Sequence, residues 1–325
     1  MTTIKYSDQD YSLNDGESVL ECLERHSVAI PSGCRKGVCQ SCMVKSVEGK
    51  PPAESQGGLK PTLQDQGYFL ACICKPDNDL NVILPDDNAL PKIEAKVIEK
   101  TALNEHIMRL RLAPDSQVDY KPGQFINLYH GNVVRSYSLA SIPSEEYLEL
   151  HIERLPKGKM SGWIHDEVCV GDSITIDGPH GDCYYLNNKP EQNLLLIGTG
   201  SGLAPLWGIA RDAIAQGHQG EIHIFHGSRS ADKLYLVDEL KALSEQHKQI
   251  RYTPCVSGDN IGEGMSAGRA NAVALAEHPS LSHWRIYLCG HPAMVNDTKR
   301  NAFLAGASLQ EIYADAFEFA AEATP

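Results

Sequence analysis

The chain has 325 residues, 42% of them hydrophobic and 22% charged, with a net charge of −13 and a mean hydropathy of −0.30. That length exceeds one ordinary core and predicts two or three domains, while the acid excess and the lack of a basic run exclude a nucleic-acid binder that works by counterion release. No stretch approaches the roughly 18 to 20 apolar residues of a membrane span, and Met1-Thr2-Thr3-Ile4-Lys5-Tyr6 has no signal-peptide core, so ten cysteines point to a reducing, cytoplasmic setting and metal ligation.

Residues 1–88 form the first predicted domain. Strands are expected at Ile4-Lys5-Tyr6 and Tyr11-Ser12-Leu13, and a helix from Ser18 to Arg25. Cys34, Cys39 and Cys42 then follow one another as C-x4-C-x2-C, and Cys72 arrives from a separate segment, Tyr68–Cys72. This is the plant-type ligand spacing of a [2Fe–2S] cluster. Wrapping three thiolates around one core needs a tight curl, which Gly33 and Gly37 permit. The loop N–H groups, with Ser32 and Ser41, can donate hydrogen bonds to sulfur and tune its potential. Zinc would prefer two C-x2-C pairs, and Cys74 stands at the wrong distance from Cys72 to make the second. A thioredoxin-type dithiol would need a helix start in a βαβ unit. Cys22 and Cys74 read as small apolar residues. Pro85–Pro91 reads as a linker, with proline at both ends.

Residues 92–187 alternate in the manner of strands, for example at 92–98, 107–112 and 147–152, with turns such as Lys121-Pro122-Gly123 between them. Short strands at this spacing predict a small antiparallel barrel. Within it, Arg135-Ser136-Tyr137-Ser138 sets a guanidinium fork suited to phosphate beside a planar ring suited to an aromatic ligand. Alternation places Arg135 and Tyr137 on one face and Ser136 and Ser138 on the other. Read in isolation, the same run also suits an amphipathic strand of any barrel.

From residue 190 to 325, strands alternate with helices: Asn193–Ile197, a helix from about Pro205 to Ala215, Glu221–His226 and Trp284–Cys289. That pattern predicts a parallel sheet with helices on both faces. The turn Gly198-Thr199-Gly200-Ser201-Gly202 brings backbone N–H groups to a helix N-terminus, where a pyrophosphate binds. It departs from G-x-G-x-x-G, because Leu203 stands where the third glycine would be. Cys289-Gly290-His291-Pro292 ends a later strand, and ligands of open parallel sheets bind at strand carboxyl ends. Cys289 therefore lies beside a ligand or is a buried structural thiol. After the second strand come Arg229 and Lys233 in place of an acid; they suit a 2′-phosphate, or a solvated loop equally well.

In this order the segments resemble the ferredoxin–NADP reductase superfamily, in the branch with an N-terminal plant-type ferredoxin domain that includes oxygenase reductase components. The resemblance implies a multidomain α+β and α/β chain. Its parts would be a β-grasp-like [2Fe–2S] ferredoxin domain (1–88), an antiparallel β-barrel flavin domain (92–187) and a parallel-sheet, Rossmann-like nucleotide domain (190–325). It further implies that Arg135 holds FAD phosphate, Tyr137 packs on the isoalloxazine, and Ser138 hydrogen-bonds near flavin N5. Gly158, Met160 and Ser161 would form a second flavin-phosphate segment. Gly198, Thr199, Gly200 and Gly202 would bind NADH or NADPH with help from Arg229, and Cys289 would lie near the nicotinamide. Tyr313–Phe317 resembles the terminal segment near the flavin, with Phe317 as its ring.

The implied activity is that of an NAD(P)H-dependent oxidoreductase. Electrons pass from the nicotinamide through FAD to the cluster, and on to a terminal oxygenase. The same chemistry could serve another acceptor protein, such as a deoxysugar dehydratase. A passive electron carrier is a third reading, and the intact Arg135, Tyr137, Ser138, Gly198 and Cys289 set argues against it.

Overall fold

The computed structural model describes residues 2–84 and 90–317, so most of the predicted linker (85–89) and the tail (318–325) lie outside the described residues. The chain divides into two compact units, residues 1–90 and 91–325.

The first unit is a five-stranded sheet of β1 (Thr3–Tyr6), β2 (Gln9–Ser12), β3 (Met43–Glu48), β4 (Tyr68–Leu70) and β5 (Leu80–Ile83), with helices α1 (Val19–Arg25) and α2 (Pro61–Asp65). The strand order is β2-β1-β5-β3-β4. β1 and β5 run parallel and the other pairs antiparallel, the mixed sheet of a β-grasp. α1 starts on a capping box: Ser18 Oγ accepts from the Glu21 N–H, and the Glu21 carboxylate accepts from the Ser18 N–H. Its buried face, Val19, Leu20, Cys22 and Leu23, packs with Ile4, Val44 and Phe69. Cys22 and Cys74 are fully buried in this core, so they behave as the small apolar residues the sequence suggested.

The second unit begins with a six-stranded antiparallel sheet of β6 (Ile93–Ala102), β7 (Ile107–Pro114), β8 (Phe125–His130), β9 (Val133–Ser138), β10 (Leu148–Glu153) and β11 (Ser173–His180), with helix α3 (Lys159–Asp166) before the last strand. The order is β10-β7-β6-β11-β8-β9. An antiparallel bridge from Leu139, just past β9, to Leu150 on β10 joins the two edges and curls the sheet into a barrel. Alternate residues such as Val97, Leu110, Leu112, Ile126, Leu128 and Ile174 fill it.

The rest of the unit is a parallel sheet of β12 (Leu194–Thr199), β13 (Ile222–Ser228), β14 (Ile250–Val256), β15 (Ser266–Ala267), β16 (Arg285–Gly290) and β17 (Ile312–Ala316). Its helices are α4 (Leu203–Ala215), α5 (Val237–Gln246), α6 (Ala270–Glu277) and α7 (Pro292–Leu304). The order β15-β14-β13-β12-β16-β17 puts β12 in the interior, with β13 on one side and β16 on the other. That reversal of direction is the switch point where doubly wound sheets open a crevice. Leu194 and Leu196 face one core and Leu195 and Ile197 the other, so both faces are covered. The first of those cores also takes in Ile107, Cys183 and Tyr185 from the barrel side. Barrel and parallel sheet therefore share packed side chains.

Candidate functional site

In the first unit the four cysteines converge. Cys34 and Cys39 are exposed, Cys72 is half-buried and Cys42 is buried. The loop curls through left-handed backbone at Arg35, Gly37 and Gln40. Gly37 takes φ +73°, which side chains rarely adopt, and a Cβ there would lie 2.7 Å from Ile73 Cδ1, forcing that side chain to shift. Cys34 Sγ receives the backbone N–H groups of Lys36, Val38 and Cys39 at 3.3–3.4 Å, and Cys39 Sγ receives that of Cys34 at 3.3 Å. The Cys34 N–H and the Ser41 hydroxyl hold the Cys39 thiol down at about 6, whereas burial pushes the Cys42 thiol up to about 11.

The sulfurs fall into two pairs, Cys34 with Cys39 and Cys42 with Cys72. Among the described residues no three of them come within 4.8 Å of one another. A single tetrahedral zinc would draw all four to about 3.8 Å apart. Two pairs, each able to serve one iron, fit a binuclear cluster.

In the second unit one cleft of about 1300 Å³ opens at the carboxyl ends of the parallel strands. It exceeds the roughly 300–1,000 Å³ of a single-ligand pocket and has room for two elongated ligands. Arg135, Ser136, Tyr137 and Ser138 all line it, so the simple two-face alternation of β9 does not decide which of them reaches it. Arg135 is exposed; its guanidinium donates to the Val134 carbonyl at 2.7 Å and has no ion pair among the described residues. Tyr137 is half-buried against the barrel core. Ser138 is buried and donates to Asp315 Oδ2 at 2.7 Å across 177 residues of sequence. Burial holds the Asp315 carboxyl above its ordinary range, and the nearby Asp182 charge adds to this.

The opposite wall comes from the glycine turn. Thr199, Gly200 and Ser201 line the cleft, and a short 3-10 turn, Gly200–Gly202, leads directly into α4. Gly290 adopts φ +120°, and a Cβ there would lie 2.6 Å from the Thr199 carbonyl. Thr199 Oγ1 accepts from the His291 N–H at 3.2 Å, locking the ends of β12 and β16 together. Phe317 reaches the cleft because its N–H bonds the Gly290 carbonyl at 2.9 Å, extending β17 along β16. Exposed Arg229, Lys233 and Arg269 supply positive charge at the far end.

Several expected residues stand behind the cleft wall. Cys289 is fully buried with its Sγ 3.9 Å from Cys183 Sγ, and burial pushes its thiol well up. Gly198 and Gly202 support the turn from within; a Cβ at Gly198 would meet Leu206. Gly158 caps α3, while Met160 and Ser161 are buried beneath it. Ser161 Oγ accepts from the Leu155 N–H at 3.2 Å and so fixes Leu155, which does line the cleft.

Sequence reading missed Asp315 as a partner of Ser138, along with Glu153, His151, Arg269 and Asn271. Glu153 Oε2 sits 3.4 Å from Ser201 Oγ. His151 is buried between Tyr235 Oη (3.2 Å) and Glu149 (3.0 Å). Burial pushes the Glu149 carboxyl up, but the bonds and charges of His151 and Arg111 outweigh it and hold the group at about 2. The available signal was position, since Glu153 ends a barrel strand and Arg269 immediately precedes a helix of the parallel sheet.

A paired-thiolate iron site, an anion-ready barrel strand and a glycine turn at a switch point together define an iron–sulfur flavoprotein oxidoreductase. Comparison with known families agrees along the chain. The 2Fe-2S iron-sulfur cluster binding domain matches residues 2–77, the oxidoreductase FAD-binding domain residues 94–185, and the oxidoreductase NAD-binding domain residues 196–300. The reductase component of the naphthalene 1,2-dioxygenase system of Pseudomonas putida, a ferredoxin–NAD(P)(+) reductase, is 32% identical, covering 93% of this chain and 94% of its own. Protein RfbI of Salmonella typhimurium is 27% identical, covering 96% of this chain and 94% of its own. The crystal structure of Amycolatopsis cytochrome P450 reductase GcoB superposes with a TM-score of 0.69 at 28% identity, covering 98% of this chain and 99% of that one.

The chain belongs to the ferredoxin–NAD(P)+ reductase family with an N-terminal [2Fe–2S] domain. It is an NAD(P)H-dependent oxidoreductase whose cofactors are a [2Fe–2S] cluster, FAD and a nicotinamide nucleotide. Among the described residues no helix is long and apolar enough to cross a membrane.

Proposed function

We propose that this protein carries electrons from NAD(P)H to the oxygenase component of a multicomponent system. The observation that carries this reading is convergence. The Arg135–Ser138 strand, the Thr199–Ser201 turn and the Asp315–Phe317 terminus line one cleft, in a chain whose first module pairs four cysteines.

FAD, when bound, couples the two-electron chemistry of a nicotinamide to the one-electron chemistry of a cluster. The residues divide the remaining work. Arg135, which has no ion pair among the described residues, would bind phosphate, while Gly158, Met160 and Ser161, behind the wall, would shape a second phosphate contact by fixing Leu155, which does line the cleft. Tyr137 offers its ring to the flavin. Asp315, whose carboxyl burial raises above its ordinary range, is the acid that exchanges a proton through Ser138 Oγ, whose side chain faces the cleft. Thr199, Gly200 and the first turn of α4 hold the nucleotide pyrophosphate, with Gly198 and Gly202 keeping that turn tight. Cys289, one layer behind, would shape the floor of a nicotinamide site, and the Phe317 ring, which lines the cleft, would help exclude water from it. Cys34, Cys39, Cys42 and Cys72 ligate the cluster.

Anaerobic titration of the purified protein with NADH tests the wiring: flavin and cluster absorbance should bleach together, followed by turnover of a purified oxygenase. A cluster that stays oxidised under a fully reduced flavin refutes the scheme. A second reading directs the same electrons to a non-oxygenase acceptor, for instance a deoxysugar dehydratase; the near full-length match to RfbI, whose name mentions no oxygenase, favours keeping it. Stimulation by one acceptor class and not the other separates the two. Reductase activity toward cytochrome c excludes a passive carrier.

A further inference from the structure

Away from the cleft, at the amino end of β13, two histidines and a carboxylate meet. His223 is fully buried on the strand, and His278 caps the end of α6. His223 Nδ1 and His278 Nε2 face each other at 2.8 Å, and donor atoms of Glu221, His223 and His278 all lie within 4.8 Å of one another. A second carboxylate, Glu277, approaches His223 Nδ1 to 3.9 Å.

We propose that Glu221, His223 and His278 form a divalent transition-metal site, with zinc the expected ion, in which Glu277 can serve as a fourth ligand. Neutral imidazoles and carboxylates are the donors such ions prefer. Burial keeps both rings neutral: His223 is pushed down to about 3 and His278 is also lowered. The tautomer needed for ligation is set from outside, because His223 Nε2 lies 2.9 Å from Thr253 Oγ1 on β14. Donating its proton there leaves Nδ1 unprotonated, its lone pair turned toward His278 Nε2 and open to an ion that displaces that contact, the arrangement outer partners impose on metal-bound histidines.

Arg251 competes for the same carboxylates. Its guanidinium reaches Glu221 at 3.2 Å and Glu277 at 3.4 Å, and it is more than half exposed and able to withdraw. A bound ion would tie the start of β13 to the end of α6. The other ends of these two elements, Gly227 and Ser228 on β13 and Ala270 and Asn271 on α6, line the cleft. The site is thus about 13 Å away along β13, counting four residues at the strand rise, and takes no part in ligating the cluster.

The experiment adds zinc chloride to chelator-treated, cluster-loaded and flavin-loaded protein, followed by calorimetry and by metal counting after gel filtration. One zinc per chain beyond the iron is expected, with a rise in Tm. His278→Ala should lose this equivalent. Thr253→Val should weaken it by about 10–100-fold, and Arg251→Ala should strengthen it. Cys169→Ser, which removes an exposed thiol able to compete for zinc, should leave it unchanged. Should His278→Ala fold poorly, Cu(II) added to the oxidised wild-type protein should show electron-spin coupling to two imidazole nitrogens. No zinc uptake, uptake that survives in His278→Ala, uptake lost in Cys169→Ser, or a copper spectrum without two nitrogens would each overturn the site.

Discussion

The Ser138–Asp315 pair is the most exacting contact in the cleft, because each residue is useful only with the other. Replacing Asp315 by Asn keeps an acceptor for the serine and removes the proton. Ferricyanide reductase turnover should fall by about 10²-fold, the low end for general acid–base groups, with FAD content unchanged and the alkaline limb of the pH profile, where the carboxyl loses its proton, abolished. Because burial raises the Asp315 carboxyl, ionising it costs stability as pH rises through that value. The Asn variant should accordingly melt no lower than wild type at pH 8. Unaltered turnover would show that the pair is structural.

Nucleotide choice is set at the same scale. No acid follows β13 in the cleft wall; Ser228, Arg229, Lys233 and Arg269 stand there instead. A charge-assisted hydrogen bond contributes about 1.5–3 kcal/mol. Arg229→Ala should therefore lower kcat/KM for NADPH by roughly 10–100-fold and leave NADH nearly unchanged, as steady-state rates with each nucleotide would reveal. An equal loss with both would mean that Arg229 contacts a part they share.

Among the elements, α1 carries more than its seven residues suggest. Its first free N–H groups reach across to the turn after β4 that bears a cluster ligand: Val19 N donates to Cys74 O at 2.9 Å and Leu20 N to Ala71 O at 3.0 Å, on either side of Cys72. Ser18→Ala removes the cap that orders this end. We expect a loss of about 0.5–2 kcal/mol, seen as a lower guanidinium midpoint for cluster bleaching while flavin retention is unaffected. The sequence delimits this helix and about half of the strands, most of those to within two residues, because caps, glycine turns and apolar alternation act over short distances. β6 runs on to Ala102, and strands such as β3, β8, β11 and β14 are not delimited. β13 runs from Ile222 to Ser228 rather than from Glu221 to His226, and α4 begins at Leu203 instead of Pro205. In both places the turn is simply tighter than proline and charge placement implied.

At the scale of the molecule, what a sequence cannot show is which distant side chains share a wall. Cys289 falls at the expected strand end, yet its residue parity turns it inward to Cys183. Asp315 faces Ser138 only because β17 pairs with β16. The burial of neutral histidines is equally invisible in advance, and it sets acid stability. Burial holds His218 at about 4 and His223 and His226 at about 3, against 6.5 when free. Each binds its proton only on unfolding, so stability present above about pH 6.5 drains away toward pH 3, at up to about 1.4 kcal/mol per pH unit for each histidine. Trp163, Trp207 and Trp284 all lie in residues 91–325, so their emission reports that unit alone. In chelator, the urea midpoint followed by tryptophan should fall steadily from pH 7 to 4. A flat profile would contradict the buried neutral rings.

The apolar seam in which Cys183, Tyr185 and Ile107 interleave with Leu196, Leu206 and Tyr287 has a practical outcome for anyone building chimeras. Grafting a foreign hydride-donor half at residue 188 would sever that seam and strand both fragments with greasy, mismatched surfaces. Residue 90 is instead the boundary between the two compact units, and there an exchanged iron–sulfur module should be tolerated.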